Sequence, residues 1–158
     1  MDIGSGKAYP SNSLSNFAPH PFEIDGVKVS SMEGFLQSLK FKNFDMQKEV
    51  CKLVGFAAKK RGRSKKWFLT QKLYWNGVEY DRKSKEYQGL LDRAFNALSK
   101  NTGFQKALIS SGKSTLTHKI GKSKESETVL TKSEFTSRLY NIRERLLNDK
   151  KPSFKFSD

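Results

Sequence analysis

The sequence predicts one compact α+β domain that is predominantly helical and carries a small β-hairpin near its N-terminus. The chain has 158 residues, which is the usual size of a single domain. Its hydrophobic fraction is 35% and its aromatic fraction 12%, which is enough to fill one core and excludes bulk disorder. Alternation of apolar and polar residues occurs within the first thirty positions, and helical spacing dominates afterwards.

The β-hairpin is predicted around Asp25-Gly26. Residues 22–24 and 27–29 each alternate apolar, polar and apolar side chains on either side of this pair. An Asp-Gly pair between alternating segments is a strong hairpin signal, because both residues tolerate the left-handed conformation of a tight turn. A second turn is predicted at Asn76-Gly77.

Two helices are expected after the hairpin. Ser30 and Glu33 form a capping-box pattern with Ser30 as the N-cap, and this helix should extend to about Asn43. Asp45 is expected to cap a second helix, whose apolar side is formed by Val50, Leu53, Val54 and Ala57. A basic stretch at residues 59–66 follows, with six Lys or Arg in eight positions.

The second half of the chain is predicted to be helical with one long interruption. Residues 85–98 and 104–109 show helical spacing, whereas residues 113–130 are polar and predict a long loop or flap. Thr131 and Glu134 form another capping box. It opens a helix whose apolar stripe is formed by Phe135, Leu139, Ile142 and Leu146. We therefore expect one domain over residues 1–148 and a charged tail over residues 149–158.

The charge and the cysteine count restrict the class of protein. With 30 Lys and Arg against 16 Asp and Glu, the net charge is +14, which favours a polyanionic partner such as phosphates or nucleic acid. One Cys excludes a disulfide framework, and two His leave too few ligands for a zinc site, so no metal or cofactor is expected. No apolar run approaches about 18 residues, so we expect a soluble, cytoplasmic protein that does not span a membrane.

One stripe of the helix after Ser30 carries chemistry. At about 100° per residue, Glu33, Gln37 and Lys40 project within about 60° of one another. A carboxylate, an amide and an amine on one stripe could serve as an acid or base, a positioning group and a nucleophile. The alternative is that Glu33 only caps the helix and that the other two side chains are ordinary solvated positions.

Three further features have two interpretations each. In the basic stretch, Gly62 and Arg63 could contact phosphate, because glycine exposes backbone N–H groups and arginine binds phosphate bidentately, or the stretch could be a solvated turn. Trp75 could stack on a base or fill the core. His118 could act as a general acid or phosphate contact, or lie on the surface.

Residues 14–41 carry a series of short motifs. In order they are Leu14-Ser15-Asn16-Phe17, Pro21-Phe22, Asp25-Gly26, Ser31-Met32-Glu33 and Gln37-Ser38-Leu39-Lys40-Phe41. This series closely resembles the NADAR family, also called YbiA-like. Ala57-Ala58 through Gly62-Arg63, and Leu139 to Leu146 with Arg143, look like later parts of the same pattern. The resemblance covers most of residues 14–147.

The resemblance implies a compact, mainly helical α+β fold and cleavage of N-glycosidic bonds to ribose. The substrates associated with the family are ribosylamino-pyrimidines and ADP-ribose attached to guanine. It implies that Glu33 and Lys40 are the active-site carboxylate and lysine, with Gln37 between them. It further implies that the pocket includes Asn16, Phe17, Gly62 and Arg63, and that Trp75 corresponds to the family's tryptophan.

The chain departs from the family pattern in two places. Gly34 stands where the family usually has His, and the family's late Trp-Gly stretch is replaced by residues 118–135. The resemblance nevertheless implies an N-glycosidase acting on a phosphorylated ribosyl substrate, and the net charge adds nucleic acid as a further partner. Two alternatives remain: a non-catalytic module that binds ADP-ribose or nucleic acid, and an interaction protein that has lost the active site.

Overall fold

The computed structural model describes residues 1–149, and within this range it has seven α-helices and two antiparallel β-hairpins. The helices α1 to α7 span Ser11–Leu14, Met32–Ser38, Phe44–Cys51, Gly55–Arg63, Lys85–Leu98, Thr102–Ser110 and Lys132–Asp149. The strands β1 to β4 span Phe22–Ile24, Val27–Val29, Lys72–Trp75 and Val78–Asp81. The predicted α+β, predominantly helical class is confirmed. The predicted tail lies outside the described residues, except for Asp149, which ends α7.

Both predicted turns form hairpins. Strands β1 and β2 pair antiparallel, with Phe22 opposite Val29. Asp25 and Gly26 have φ values of 51° and 77°, the left-handed conformation that a two-residue hairpin turn requires. Strands β3 and β4 are joined in the same way by Asn76 and Gly77. The alternating side chains of the first hairpin bury one apolar face against the core.

Helix α2 begins one residue later and ends earlier than the sequence predicts. Its N-cap is Ser31 and not Ser30, because the Ser31 hydroxyl accepts a hydrogen bond from the Gly34 amide at 3.0 Å. Glu33 is therefore at the second helical position, and its side chain is free of the cap. The helix ends at Ser38, and Lys40 lies in the tight turn that follows, with its amide bonded to the Gln37 carbonyl at 3.2 Å.

The predicted second helix is two helices. Asn43, and not Asp45, caps α3, since its side chain accepts from the Met46 amide at 3.0 Å. Helix α3 ends at Cys51, and a separate helix, α4, begins at Gly55, which has a φ of 54°. Most of the basic stretch consequently belongs to the last turns of α4, so the backbone amides around Gly62 are engaged in the helix.

The last three helices are close to their prediction. Helix α5 has the predicted bounds, and α6 extends the predicted helix by two residues at its start and one at its end. At α7 the capping box forms in both directions, with Glu134 N donating to Thr131 Oγ1 at 3.1 Å and Thr131 N donating to Glu134 Oε1 at 2.7 Å. The apolar side of α7 is buried in the core. Within residues 1–149, no helix is both long enough and apolar enough to cross a membrane.

Candidate functional site

A cavity of about 500 Å³ lies between α2, α4, the segment after α1 and the long loop before α7. Its size falls within the usual range for small-molecule sites. The residues that line it are Ser5, Ser15, Asn16, Phe17, Glu33, Leu36, Gln37, Lys40, Phe56, Lys59, Trp67, His118, Ile120, Gly121, Lys122, Glu127, Thr128, Val129, Leu130 and Phe135. The structure thus brings six of the nine predicted site residues into one concave site.

The stripe of α2 forms one wall of this cavity. Glu33 and Gln37 are one helical turn apart, and the Gln37 Nε2 donates to Glu33 Oε1 at 2.9 Å. Lys40 reaches the same cavity from the turn that follows the helix. The carboxylate, the amide and the amine therefore face one space, as the stripe predicts, and not separate solvent surfaces.

The cavity shifts the protonation equilibria of both ionisable groups. Burial raises the pKa of Glu33 above its ordinary 4.5, although the Gln37 hydrogen bond and the charges of Lys40, Lys59 and His118 act in the opposite direction. Burial likewise lowers the pKa of Lys40 below its ordinary 10.5; Glu33 opposes this shift, and Lys122 and Lys59 add to it. Each group is thereby moved toward its neutral form, which is the form that a general acid or an amine nucleophile requires.

The segment after α1 supplies the second wall. The Asn16 carbonyl accepts a hydrogen bond from the Glu33 amide at 3.0 Å, which ties this segment to the first turn of α2. The Phe17 ring packs close to Gly55, where a Cβ would lie 3.7 Å from its Cδ2. Asn16 is therefore held at the cavity by a backbone hydrogen bond to α2, and Phe17 by packing of its ring against the start of α4.

His118 lines the cavity and contacts the N-terminal segment. Its Nδ1 lies 3.1 Å from the Ile3 carbonyl oxygen. Because a carbonyl can only accept, Nδ1 carries a proton in this contact. The ring packs edge-on against Phe135, with centroids 5.2 Å apart. His118 is thus half-buried and fixed in orientation, which corrects the alternative of a free surface histidine.

Three predicted site residues do not line the cavity. Gly62 faces the Gln37 side chain from α4, and the Arg63 guanidinium lies 5.5 Å from the centroid of the Phe56 ring. Trp75 is 1% exposed and belongs to the core, where its Nε1 donates to Asp25 Oδ2 at 2.8 Å. The expectation that these three residues form the pocket is corrected, because the helical geometry of α4 and the pairing of β3 direct them elsewhere.

The sequence did not single out several lining residues for the pocket. The tryptophan at the cavity is Trp67, which is 7% exposed and follows the basic stretch directly. Lys59 from α4 and Lys122 from the long loop contribute the ammonium groups at the cavity besides that of Lys40. Lys59 belongs to the basic stretch that the sequence marks for phosphate contact, whereas the signals for Lys122 and Trp67 were only the net charge and the proximity of an aromatic residue to lysines.

Residues 118–135, which replace the family's Trp-Gly stretch, supply nine of the twenty lining residues. Side chains from outside the segment hold its backbone. Gln71 Nε2 donates to the Ser126 carbonyl at 3.0 Å, Arg82 Nε donates to the Thr128 carbonyl at 2.8 Å, and the Tyr87 hydroxyl donates to the Val129 carbonyl at 2.6 Å. Residues 126–129 of the predicted polar flap are therefore held in place by hydrogen bonds and form part of the cavity wall.

The departure at Gly34 has a packing reason. A Cβ at this position would lie 2.5 Å from the Leu53 carbonyl oxygen and 3.1 Å from that of Val50, because α2 packs on the end of α3. A histidine would not fit here without displacing α3. Within residues 1–149, no group of three His, Cys, Asp or Glu side chains is placed to hold a metal ion.

Comparison with known proteins gives three findings. Residues 8–144 match the family described as Bacteriophage protein GP30.3. The chain is 39% identical over 152 residues to the uncharacterized 17.1 kDa protein in the Gp30-rIII intergenic region of Enterobacteria phage T4, covering 92% of this chain and 98% of that protein. It is also similar to the NMR structure of the E. coli protein YbiA, with a TM-score of 0.59, 16% identity and coverage of 99% of this chain and 89% of YbiA. The last finding confirms the YbiA-like fold.

Proposed function

The chain belongs to the Bacteriophage protein GP30.3 family, and we propose that it is an N-glycosidase. It hydrolyses the bond between ribose and a nucleobase in a phosphorylated substrate, either ADP-ribosyl-guanine in nucleic acid or a ribosylamino-pyrimidine phosphate. The observation that carries the proposal is that Glu33, Gln37 and Lys40 face one cavity, with Glu33 and Lys40 both shifted toward neutrality.

Glu33 is the proposed acid and base. Breaking a ribosyl–nitrogen bond develops positive charge at the anomeric carbon, and a nearby carboxylate stabilises that charge. A raised pKa lets Glu33 also protonate the departing nitrogen. Water then forms the new bond to the anomeric carbon and returns its proton to Glu33. Gln37 keeps one carboxylate oxygen in a fixed direction through the 2.9 Å hydrogen bond.

Lys40 is the proposed second catalytic group. Its lowered pKa increases the neutral fraction of the amine, which is the nucleophilic form. In a covalent route that replaces direct attack by water, the amine attacks the anomeric carbon, and the base leaves with the proton from Glu33. The lysine nitrogen then passes a proton to the ring oxygen as the ribose ring opens, which gives an iminium. Hydrolysis of that iminium restores the lysine and releases the sugar.

Substrate binding is assigned to the remaining side chains of the cavity. Lys59 and Lys122 lie where anionic groups can approach, and their charge favours phosphate. Trp67 and Phe56 present aromatic surfaces for a base. Asn16, Phe17 and His118 complete the proposed site. Recognition of substrate phosphate thus falls to Lys59 of the basic stretch and not to Arg63.

A non-catalytic binding module is the second candidate. All six Lys and Arg of residues 59–66 are exposed, and the chain carries a net charge of +14, which suits contacts to a phosphate backbone. The two functions differ in turnover and in the role of Glu33. A binding module gives no product, its affinity falls steeply with salt, and it is indifferent to Glu33→Gln.

The experiment is a product search with matched variants. The protein is incubated with an oligonucleotide that carries ADP-ribosylated guanine, with free ADP-ribose, with NAD and with a ribosylamino-pyrimidine phosphate, and base release is followed by mass. Glu33→Gln is expected to lower the rate about 10²–10⁴-fold. Glu23→Gln, which changes an exposed carboxylate on β1, is the control and is expected to keep the rate.

Borohydride trapping tests the lysine separately. Reduction during turnover is expected to fix the substrate's sugar on the wild-type protein and to leave Lys40→Ala unmodified. Absence of base release from all substrates would refute the glycosidase. Full activity of Lys40→Ala would refute only the role of Lys40.

A further inference from the structure

Helices α2 and α4 come into close contact beside the candidate site. Gln37 is 7% exposed, and its amide lies against the backbone of α4 at Gly62. A Cβ built on Gly62 would be 1.8 Å from Gln37 Oε1, 2.8 Å from its Cδ and 3.0 Å from its Cβ. No side chain larger than hydrogen fits at position 62 while the Gln37 amide stays where it is.

The same amide is the group that holds Glu33. Its Nε2 donates to the carboxylate, whereas its buried Oε1 has no hydrogen-bond partner within residues 1–149. A buried acceptor without a partner is costly. The fold nevertheless keeps the amide in this orientation, with its donor toward Glu33 and its acceptor toward the bare backbone of Gly62.

We propose that Gly62 is a positioning residue for Glu33, acting through the Gln37 amide and not through contact with the substrate. The absent side chain leaves the space that the amide needs in order to direct Nε2 at the carboxylate. A side chain at position 62 displaces the amide, and Glu33 then loses its fixed direction and its hydrogen bond. The inference rests on the proposed function, in which Glu33 is the acid and base.

The charges that face Glu33 come from three other places. Lys40 lies in the turn after α2, Lys59 on α4 and His118 on the long loop, and Glu127 lines the same cavity. A substitution at Gln37 leaves all four in place. A substitution at Gly62 leaves them in place as well, unless it moves α4 and Lys59 with it. The experiment therefore has to distinguish loss of the Gln37 hydrogen bond from a displacement of Lys59.

The test is a double-mutant cycle of Gly62→Ala and Gln37→Ala, followed by carboxyl NMR titration of Glu33 and by thermal unfolding. Gly62→Ala is expected to raise the pKa of Glu33 as Gln37→Ala does, because both remove the Gln37 hydrogen bond. The double variant is expected to match Gln37→Ala in this titration. It is also expected to unfold at a higher temperature than Gly62→Ala alone, because only the 3.0 Å contact to Cβ remains.

The control is Gly89→Ala on α5, an exposed helical glycine whose added Cβ meets nothing within 4 Å. It is expected to leave the Glu33 titration unchanged. With a substrate in hand, Gly62→Ala is expected to lower kcat about 10- to 100-fold with little change in KM, since a misdirected catalytic group is costly.

Three outcomes would overturn the inference. In the first, Gly62→Ala lowers the unfolding temperature but leaves the Glu33 titration as in the wild type. In the second, the double variant differs from Gln37→Ala in the titration, which assigns the effect to Lys59. In the third, Gly62→Ala does not fold and the double variant does not restore folding. Because the titration needs no substrate, it decides the inference even if the proposed glycosidase activity is not found.

Discussion

Glu33→Gln is expected to make the protein more stable at neutral pH while lowering the proposed N-glycosidase activity. The pKa of Glu33 is raised in the folded protein, so the folded state binds this proton more tightly than the unfolded state. Stability therefore falls as the pH rises from the ordinary value of 4.5 through the raised value. A glutamine is neutral at every pH and avoids this loss.

The size of the effect follows from what the substitution keeps and what it removes. The glutamine oxygen can still accept from Gln37 Nε2, so the 2.9 Å hydrogen bond is retained. The raised pKa of Glu33 already includes the attraction to Lys40, so the loss of this attraction needs no separate correction. We expect a gain of about 0.5–2 kcal/mol at neutral pH, as is usual when a strained site is relieved. For a domain of this size, each kcal/mol raises Tm by about 2–4 °C.

The assay is urea unfolding of wild type, Glu33→Gln and Glu23→Gln at neutral pH and at a pH below 4.5. The gain should be present at neutral pH for Glu33→Gln alone, and it should disappear at the lower pH, where the wild-type carboxyl is also neutral. A Glu33→Gln variant that is less stable than wild type at neutral pH would refute the burial argument. A gain of equal size at both pH values would refute its electrostatic origin.

Three further predictions follow from the same site and its supports. Lys40→Met is expected to be more stable than wild type at neutral pH, because burial lowers the pKa of Lys40 and disfavours its ammonium form. In unfolding experiments above about pH 10.5 the gain should vanish, because the lysine is then neutral in the folded and the unfolded state. Lys59→Ala is expected to raise KM for a phosphorylated substrate about 2- to 5-fold, as for an exposed charge contact of about 0.5–1 kcal/mol, whereas Arg63→Ala should leave KM nearly unchanged in steady-state kinetics. Arg82→Ala is expected to cost about 3–5 kcal/mol in urea unfolding, because Arg82 is fully buried and its removal leaves Glu134, bound at 2.6 Å, without its cationic partner. A loss under about 1 kcal/mol would contradict this.

The elements that the sequence predicted well are those decided by neighbouring residues. The first hairpin follows from alternation around Asp25-Gly26, since both residues adopt a positive φ at low cost. Helices α5 and α7 follow from apolar spacing, and the start of α7 follows from the reciprocal capping of Thr131 and Glu134. In each case the interacting residues lie within a few positions of one another, so the local sequence is enough to predict the interaction.

The predictions from sequence were wrong where neighbouring residues suited the same structural role equally well, or where the role came from a distant contact. Ser30 and Ser31 both precede the apolar stripe of α2, and the burial of Ser31 against the Leu53 carbonyl decides which of them caps the helix. The basic stretch has a glycine and many charges, which suggested a turn. In the structure Gly62 serves a close approach of two helices, and that contact has no local signature.

The candidate site likewise has a part that the local sequence predicts and a part that depends on tertiary packing. The sequence by itself determined that Glu33 and Gln37 share a face, because helical periodicity fixes the directions of side chains on one short segment. Lys40 lies beyond the end of α2, so the turn after Ser38 and not the helical period directs it to the same cavity. Only the tertiary structure decided that this face borders a cavity, that Trp67 and not Trp75 reaches it, and that residues 118–135 form its far wall. Those outcomes depend on contacts between residues far apart in the sequence, such as Gln71 with Ser126 and His118 with Ile3. Such contacts are selected by the packing of the whole core and not by the spacing of residues along the chain.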